Sequence, residues 1–177
     1  MKKKILSSYC ITIMLFCQIA LCFLATTNTA SAANLTENQA AAISSNCRRM
    51  KDTLKTVQAS DSRARVYLGS YYERLLNKYL VPLNLRLVKN NKPNTELVSA
   101  QTAFSTYFTN FRDDYTEYQR TLETLTSFDC INHPSEFYDL LTETREKRKI
   151  MVTDVNALKN AIGDIRELVK GLKNGKE

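Results

Sequence analysis

The chain has 177 residues, with 25 basic and 18 acidic side chains, one histidine, four glycines and no tryptophan. It is long enough for a single domain, and it holds no glycine-rich phosphate loop, nucleophile elbow or metal-spaced cluster, so we expect neither an enzyme nor a bound cofactor. The formal charge of +7 falls to +4 once the three lysines of the first 33 residues are set aside, leaving 22 basic and 18 acidic groups, too even a balance for a nucleic-acid polyelectrolyte.

Those first residues have their own logic. Lys2, Lys3 and Lys4 precede an apolar run from Ile5 to Ala25, and small residues close the stretch at Ala30-Ser31-Ala32. This is the order of a secretory signal, with small side chains where a signal peptidase must admit them. We expect a signal peptide over residues 1–32, cleaved after Ala32 or Ala33, and one helical domain over 33–177. The product would be exported: periplasmic, on the cell surface or extracellular. The alternative is a retained anchor, because about 20 apolar residues span a bilayer; residues 5–25 would then hold the chain in the inner membrane with the lysines inside. A lipoprotein is disfavoured because Leu21 precedes Cys22, where a lipidation signal requires a small residue.

Cys10, Cys17 and Cys22 lie in the leader, which leaves Cys47 and Cys130. In an oxidising compartment such a pair persists as a disulfide. With the single His133 they would still lack the fourth ligand of a closed metal site, so no metal is expected.

After the leader, residues 34–42 contain helix formers with little apolar periodicity, which predicts a tether or a frayed first turn. Asn34-Leu35-Thr36 matches a glycosylation sequon, a short pattern that matters only in a host with that machinery. A heptad seam follows through Ile43, Cys47, Met50, Leu54, Val57, Asp61, Ala64, Leu68, Tyr71 and Leu75, then broadens to Tyr72, Leu76, Tyr79, Leu80 and Leu83. Pro82 predicts a kink, with helix resuming to about Val88, and Lys89–Asn94 reads as the one clear loop. The second helix carries Leu97, Phe104, Phe108, Phe111, Tyr115, Tyr118, Leu122 and Leu125, an aromatic stripe best read as core. The third opens at Pro134, where proline suits a first turn and Glu136 can serve the free amides. Its seam is Phe137, Leu141, Thr144, Arg148, Met151, Val155, Leu158, Ile162, Ile165, Val169 and Leu172. The expected fold is all-α: an elongated antiparallel three-helix coiled-coil bundle with helices at about 36–88, 95–128 and 134–173, kinked near Pro82.

Helix rise then fixes a register. In a hairpin turning near residue 91, Cys47 and Cys130 differ by only about 7 Å in distance from the turn, so they meet at one end of a rod about 60 Å long. If the third helix starts at that same end, residue 148 is level with residues 62 and 115. Asp61 and Arg148 are the polar intrusions in their seams, which predicts a polar layer of Asp61, Asp114 and Arg148 in which Arg148 pairs with one of the two aspartates. Charge agrees with the hairpin: residues 47–93 hold eleven basic and three acidic side chains, whereas 94–129 hold two and six. Arg48, Arg49, Lys51, Lys55, Arg63 and Arg65 form a candidate surface for anionic partners.

The pairing of Cys47 with Asp129-Cys130, followed by Pro134, Phe137-Tyr138, Leu141, Arg145 and Arg148, resembles uncharacterised secreted helical proteins of ultrasmall, host-attached bacteria of the candidate phyla radiation. The resemblance implies the same helical fold and no known activity, and it adds no catalytic residue.

The sequence thus favours an exported structural or interaction protein of the envelope or extracellular space, with a periplasmic helical holdase or a membrane-tethered subunit of an envelope complex as alternatives. The partner would be an unknown protein or an anionic envelope polymer, with a membrane surface as a further candidate and no specific nucleic acid. Helical seams left open would also support self-association.

Overall fold

The structure, a computed structural model, describes residues 35–173. The leader, its alternative anchor over 5–25, the lipidation question at Cys22 and the last four residues lie outside the described residues. Among the described residues there are helices and no strands, in a three-helix arrangement. Helix α1 (Glu37–Arg74) runs through a π-helical segment (Leu75–Leu80) into α2 (Val81–Lys89); α3 (Thr95–Ser127) returns, and α4 (Pro134–Lys173) runs out again. No described helix is long and apolar enough to cross a membrane.

The first helix starts where the expected bounds of about 36–88 place it, with a capped first turn in place of a tether or frayed one. Thr36 and Gln39 form a reciprocal capping box: the Gln39 backbone N–H donates to Thr36 Oγ1 and the Thr36 N–H donates to Gln39 Oε1 at 2.9 Å. Two orphan amides are satisfied in this way, so the first turn is formed although it has no apolar periodicity.

The disturbance expected at Pro82 takes the form of the π segment just before it. A proline ring collides with the carbonyl four residues back and offers no N–H to it. Widening the turn relieves both problems, and the Val81 N–H donates instead to Leu76 O, five residues back. Helix α2 then ends on Asn91, whose φ of 51° is the left-handed conformation that asparagine tolerates better than most side chains. The Lys92 N–H closes the turn on Leu87 O at 2.9 Å.

Helix α3 is the centre of the bundle. Leu97, Phe104, Phe111, Tyr115, Tyr118, Leu122 and Leu125 are all buried on it, and α4 answers with Phe137, Leu141, Thr144, Met151, Leu158, Ala161 and Ile165. Helix α1 buries only Ile43, Cys47 and Tyr72. A fully buried large apolar side chain contributes about 1.5–3 kcal/mol, so α3 and α4 carry most of the burial energy, and α1 adds a smaller share with Met50, Leu54 and Leu68 half-buried against the core. The first seam also slips. Ala64 and Tyr71 face outward, and Tyr72 takes the core position. A strict heptad drifts by about 20° per repeat against a straight helix, and past Asp61 that drift moves the buried stripe by one residue.

The elbow from Asp129 to His133 is built by one carboxylate. Asp129 Oδ1 accepts from the Ile131 and Asn132 backbone N–H groups at 3.1 and 3.2 Å, and Oδ2 accepts from Asn132 Nδ2 at 2.7 Å. Those donors, led by Asn132, hold its carboxyl below the ordinary aspartate range. His133 is exposed, with Nδ1 lying 3.8 Å from Glu136, and it is a loop residue at the start of α4.

Candidate functional site

With little apolar surface to seat it, α1 is held at three stations. The first is covalent: Cys47 and Cys130 are disulfide-bonded, with Cα atoms 5.6 Å apart and a sequence separation of 83. Ser44 Oγ adds a hydrogen bond to Ile131 O across the same end. The second station is polar, 14 residues further on. Arg148 of α4 donates through Nε and Nη2 to Asp61 Oδ2 and Oδ1 at 2.8 and 3.1 Å, and Tyr118 OH of α3 donates to Oδ2 at 2.8 Å. One carboxylate therefore ties all three long helices together. The third station is aromatic: the Tyr72 ring lies edge-on to Phe104, Phe108 and Phe111, with centroids 5.9, 5.9 and 6.1 Å away. Each step up α1 is matched by a similar step down α3, as an antiparallel register requires.

The electrostatics of the middle station follow from its burial. Desolvation raises the Asp61 carboxyl, but the Arg148 and Tyr118 hydrogen bonds and the Arg148 charge outweigh it and hold the group below its ordinary range. Burial and the same carboxylate push the Tyr118 phenol up. Arg148 is raised, first by its bond to Asp61. Its side chain stays 48% exposed while that of Asp61 is 13% exposed, so this is a clamp on the flank of the core rather than a layer through it. Beside it, Tyr115 OH donates to Ser62 Oγ at 3.2 Å, and the Arg65 guanidinium lies 5.5 Å over the Tyr115 ring.

Asp114 does not join this clamp, contrary to the register argument. It lies one turn along α3 from Tyr118, and over that turn α4 has moved on from Arg148, so Asp114 faces Asp154. Arg148 meanwhile directs its Nε and Nη2 at Asp61. Burial and then the Asp114 carboxyl push Asp154 up to about 6. Asp154 Oδ2 is buried with no protein donor, which fits a pair that shares a proton.

A raised folded-state value means that the contribution of Asp154 to stability is full below the unfolded carboxylate range and is lost as pH rises through about 6. Asp154→Asn keeps a donor for Asp114 at all pH values. It is expected to stabilise the protein by about 1 kcal/mol at neutral pH, after discounting the shift for partial solvation, and to flatten the stability profile between acid and neutral pH. Urea melts of both proteins across that range check this, and parallel profiles would refute the shared proton.

The six basic residues singled out in the sequence are not one surface. Arg48 and Lys55 are exposed to solvent, whereas Lys51 turns toward α3 and reaches Ser127 O at 3.5 Å. Arg49 lies on the other flank, in a small cleft with Met50, Leu54, Leu141 and Arg145. Arg65 is spent on Tyr115. Successive helix positions turn by about 100°, so Arg48, Lys51 and Lys55 share one flank of α1 at i, i+3, i+7 while Arg49 and Arg65 turn away from it. Arg63 belongs to a further exposed face, with neighbours that the sequence reading did not include. They are Val66, Tyr67, Ser70, Tyr71 and Arg74, along one side of the helix. Val66 and Tyr67 are 60% and 73% exposed, which is high for such side chains. An i, i+4, i+8, i+11 spacing would have found this second stripe.

Among the described residues no group of three His, Cys, Asp or Glu side chains is placed to hold a metal ion. No protein-family model, curated protein or solved structure matches the chain significantly, so its function is read from its own residues.

Proposed function

We propose that the chain is an exported structural or interaction protein of the cell envelope or extracellular space, in which the α3–α4 hairpin is a scaffold and α1 the displayed binding helix. The observation that carries this reading is the Cys47–Cys130 disulfide, because structural disulfides are characteristic of oxidising compartments and rare in a reducing cytosol. The leader-like order of residues 1–32 supports the same compartment. Exposed arginines with interleaved tyrosines on α1 suit an anionic partner, either an envelope polymer or an acidic protein surface, and we assign no catalytic role to any residue.

Binding of that kind is salt-dependent. Protein isolated with its native envelope fraction is expected to be released as NaCl rises from about 50 to about 500 mM, a range that shortens the Debye length several-fold. Retention unaffected by salt would contradict the anionic partner, and recovery only from the cytosol would contradict export. The exposed Val66, Tyr67 and Tyr71 favour a second reading, a periplasmic holdase that grips unfolded clients. Against it stands the closed α3–α4 core, where Phe104, Phe111, Leu125, Phe137 and Leu158 are at most 1% exposed. Suppression of the aggregation of a heat-unfolded client by stoichiometric protein would favour the holdase. A membrane-tethered subunit is the reading that applies if residues 5–25 stay attached.

A further inference from the structure

The exposed face of α1 has a counterpart on the same molecule. Where the start of α3 meets the end of α4, a cleft of about 830 Å³ is floored by Leu97, Leu168 and Leu172 and rimmed by Glu96, Asp164 and Glu167. On α1, Arg63 and Arg74 stand three turns apart on one face, about 16 Å along the axis, with Val66, Tyr67 and Tyr71 between them. One surface is apolar with basic ends; the other is apolar with an acidic rim. Neither is satisfied among the described residues. Among the described residues Arg63, Arg74, Glu96 and Asp164 make no ion pair, and Glu167 pairs only with Lys170 on its own helix, an exposed contact of little energetic weight.

We propose that the α1 face docks into the acidic cleft of a second copy of this chain. The cleft volume is in the range that accepts aromatic groups. Two tyrosines with flanking arginines are the side chains most often found to anchor a protein interface, and the acidic rim supplies their complement. The two surfaces are different patches, so the contact is heterologous: each copy offers one face and one cleft, and assembly grows head to tail instead of closing as a two-fold dimer. This deepens the interaction-protein reading by naming the partner, and it rests on that reading only in treating the α1 face as a docking surface.

The test is sedimentation velocity on the disulfide-bonded protein as purified from its source, at concentrations up to about 100 µM and at low and high salt. The average mass is expected to rise with concentration past that of a dimer, and to fall with added salt. Arg63→Glu with Arg74→Glu, and separately Glu96→Lys with Glu167→Lys, are each expected to weaken association about tenfold or more. Mixing the two charge-reversed proteins is expected to restore it. All four positions are exposed, so unchanged helical signal and melting confirm that each variant folds. A wild-type monomer at the highest concentration, indifference to charge reversal, or failure of the mixture to reassociate would each overturn the proposal. A monomer that is still exported and released from the envelope by salt would overturn this proposal alone and leave the functional reading intact.

Discussion

Reduction of the Cys47–Cys130 bond, or Cys130→Ser, lowers the melting midpoint by on the order of 15 °C. The bond closes a loop spanning 83 positions. In the chain-entropy description a loop of that length contributes about 4–5 kcal/mol, a large part of the stability of a small domain. Its effect falls unevenly. Helix α1 has three buried side chains against seven on each of α3 and α4, so it has the least to hold it once the staple opens. The reduced protein should lose the helical signal of α1 first and keep the α3–α4 hairpin to higher temperature, turning one transition into two. Circular dichroism melts with and without reductant decide the matter. A midpoint that does not move would mean that α1 is held by its packing and that the staple account is wrong.

Removing the second station is the next largest expected effect, and its two halves should be unequal. Asp61→Ala leaves the Tyr118 hydroxyl, on a residue only 1% exposed, without its acceptor, and it also releases Arg148. An unsatisfied buried donor costs about 1–3 kcal/mol, so a total near 2 kcal/mol is expected. Arg148→Met removes only the cation. Its side chain is 48% exposed and the Tyr118 to Asp61 bond survives, so the loss should stay near 1 kcal/mol. The double mutant should then fall short of the sum of the two single losses. Equal single effects would mean that the ion pair, not the tyrosine bond, dominates. The pH dependence separates this station from the Asp114–Asp154 pair. Asp61 is held low, so its contribution is present above the ordinary aspartate range and is lost as pH falls through its depressed value, whereas that of Asp154 is lost as pH rises.

Much of this was legible in the residues. Heptad spacing from Phe104 to Leu125 and from Phe137 to Ile165 marks the core of α3 and α4, because two long helices that pack on each other must repeat their apolar side chains at that interval. Outside the first 33 residues the sequence holds one cysteine pair, and helix rise alone puts Arg148 level with Asp61. What escaped the sequence depends on rotation rather than height. The seam of α1 shifts from Tyr71 to Tyr72 through a small accumulated drift, and Asp114 turns toward Asp154 although it lies only a turn from the level of the clamp. Tyr115 and Tyr118 read simply as core, since nothing in a periodic pattern tells which aromatic spends its hydroxyl on a neighbouring helix. Azimuth likewise separates Arg49 and Arg65 from the other basic residues of α1 and aligns the stripe from Arg63 to Arg74. The π segment announces itself only through Pro82, because its cause is the proline and its position is set by the turn that must make room for it.

An exported chain whose α1 is stapled to a hairpin scaffold has a definite mass. Intact-mass measurement of the protein from its native envelope and medium fractions, without reductant, is expected to give a chain beginning at Ala33 or Asn34 and two hydrogens lighter than the dithiol form. A full-length mass confined to the membrane fraction, with both thiols free, would contradict the export and the staple together.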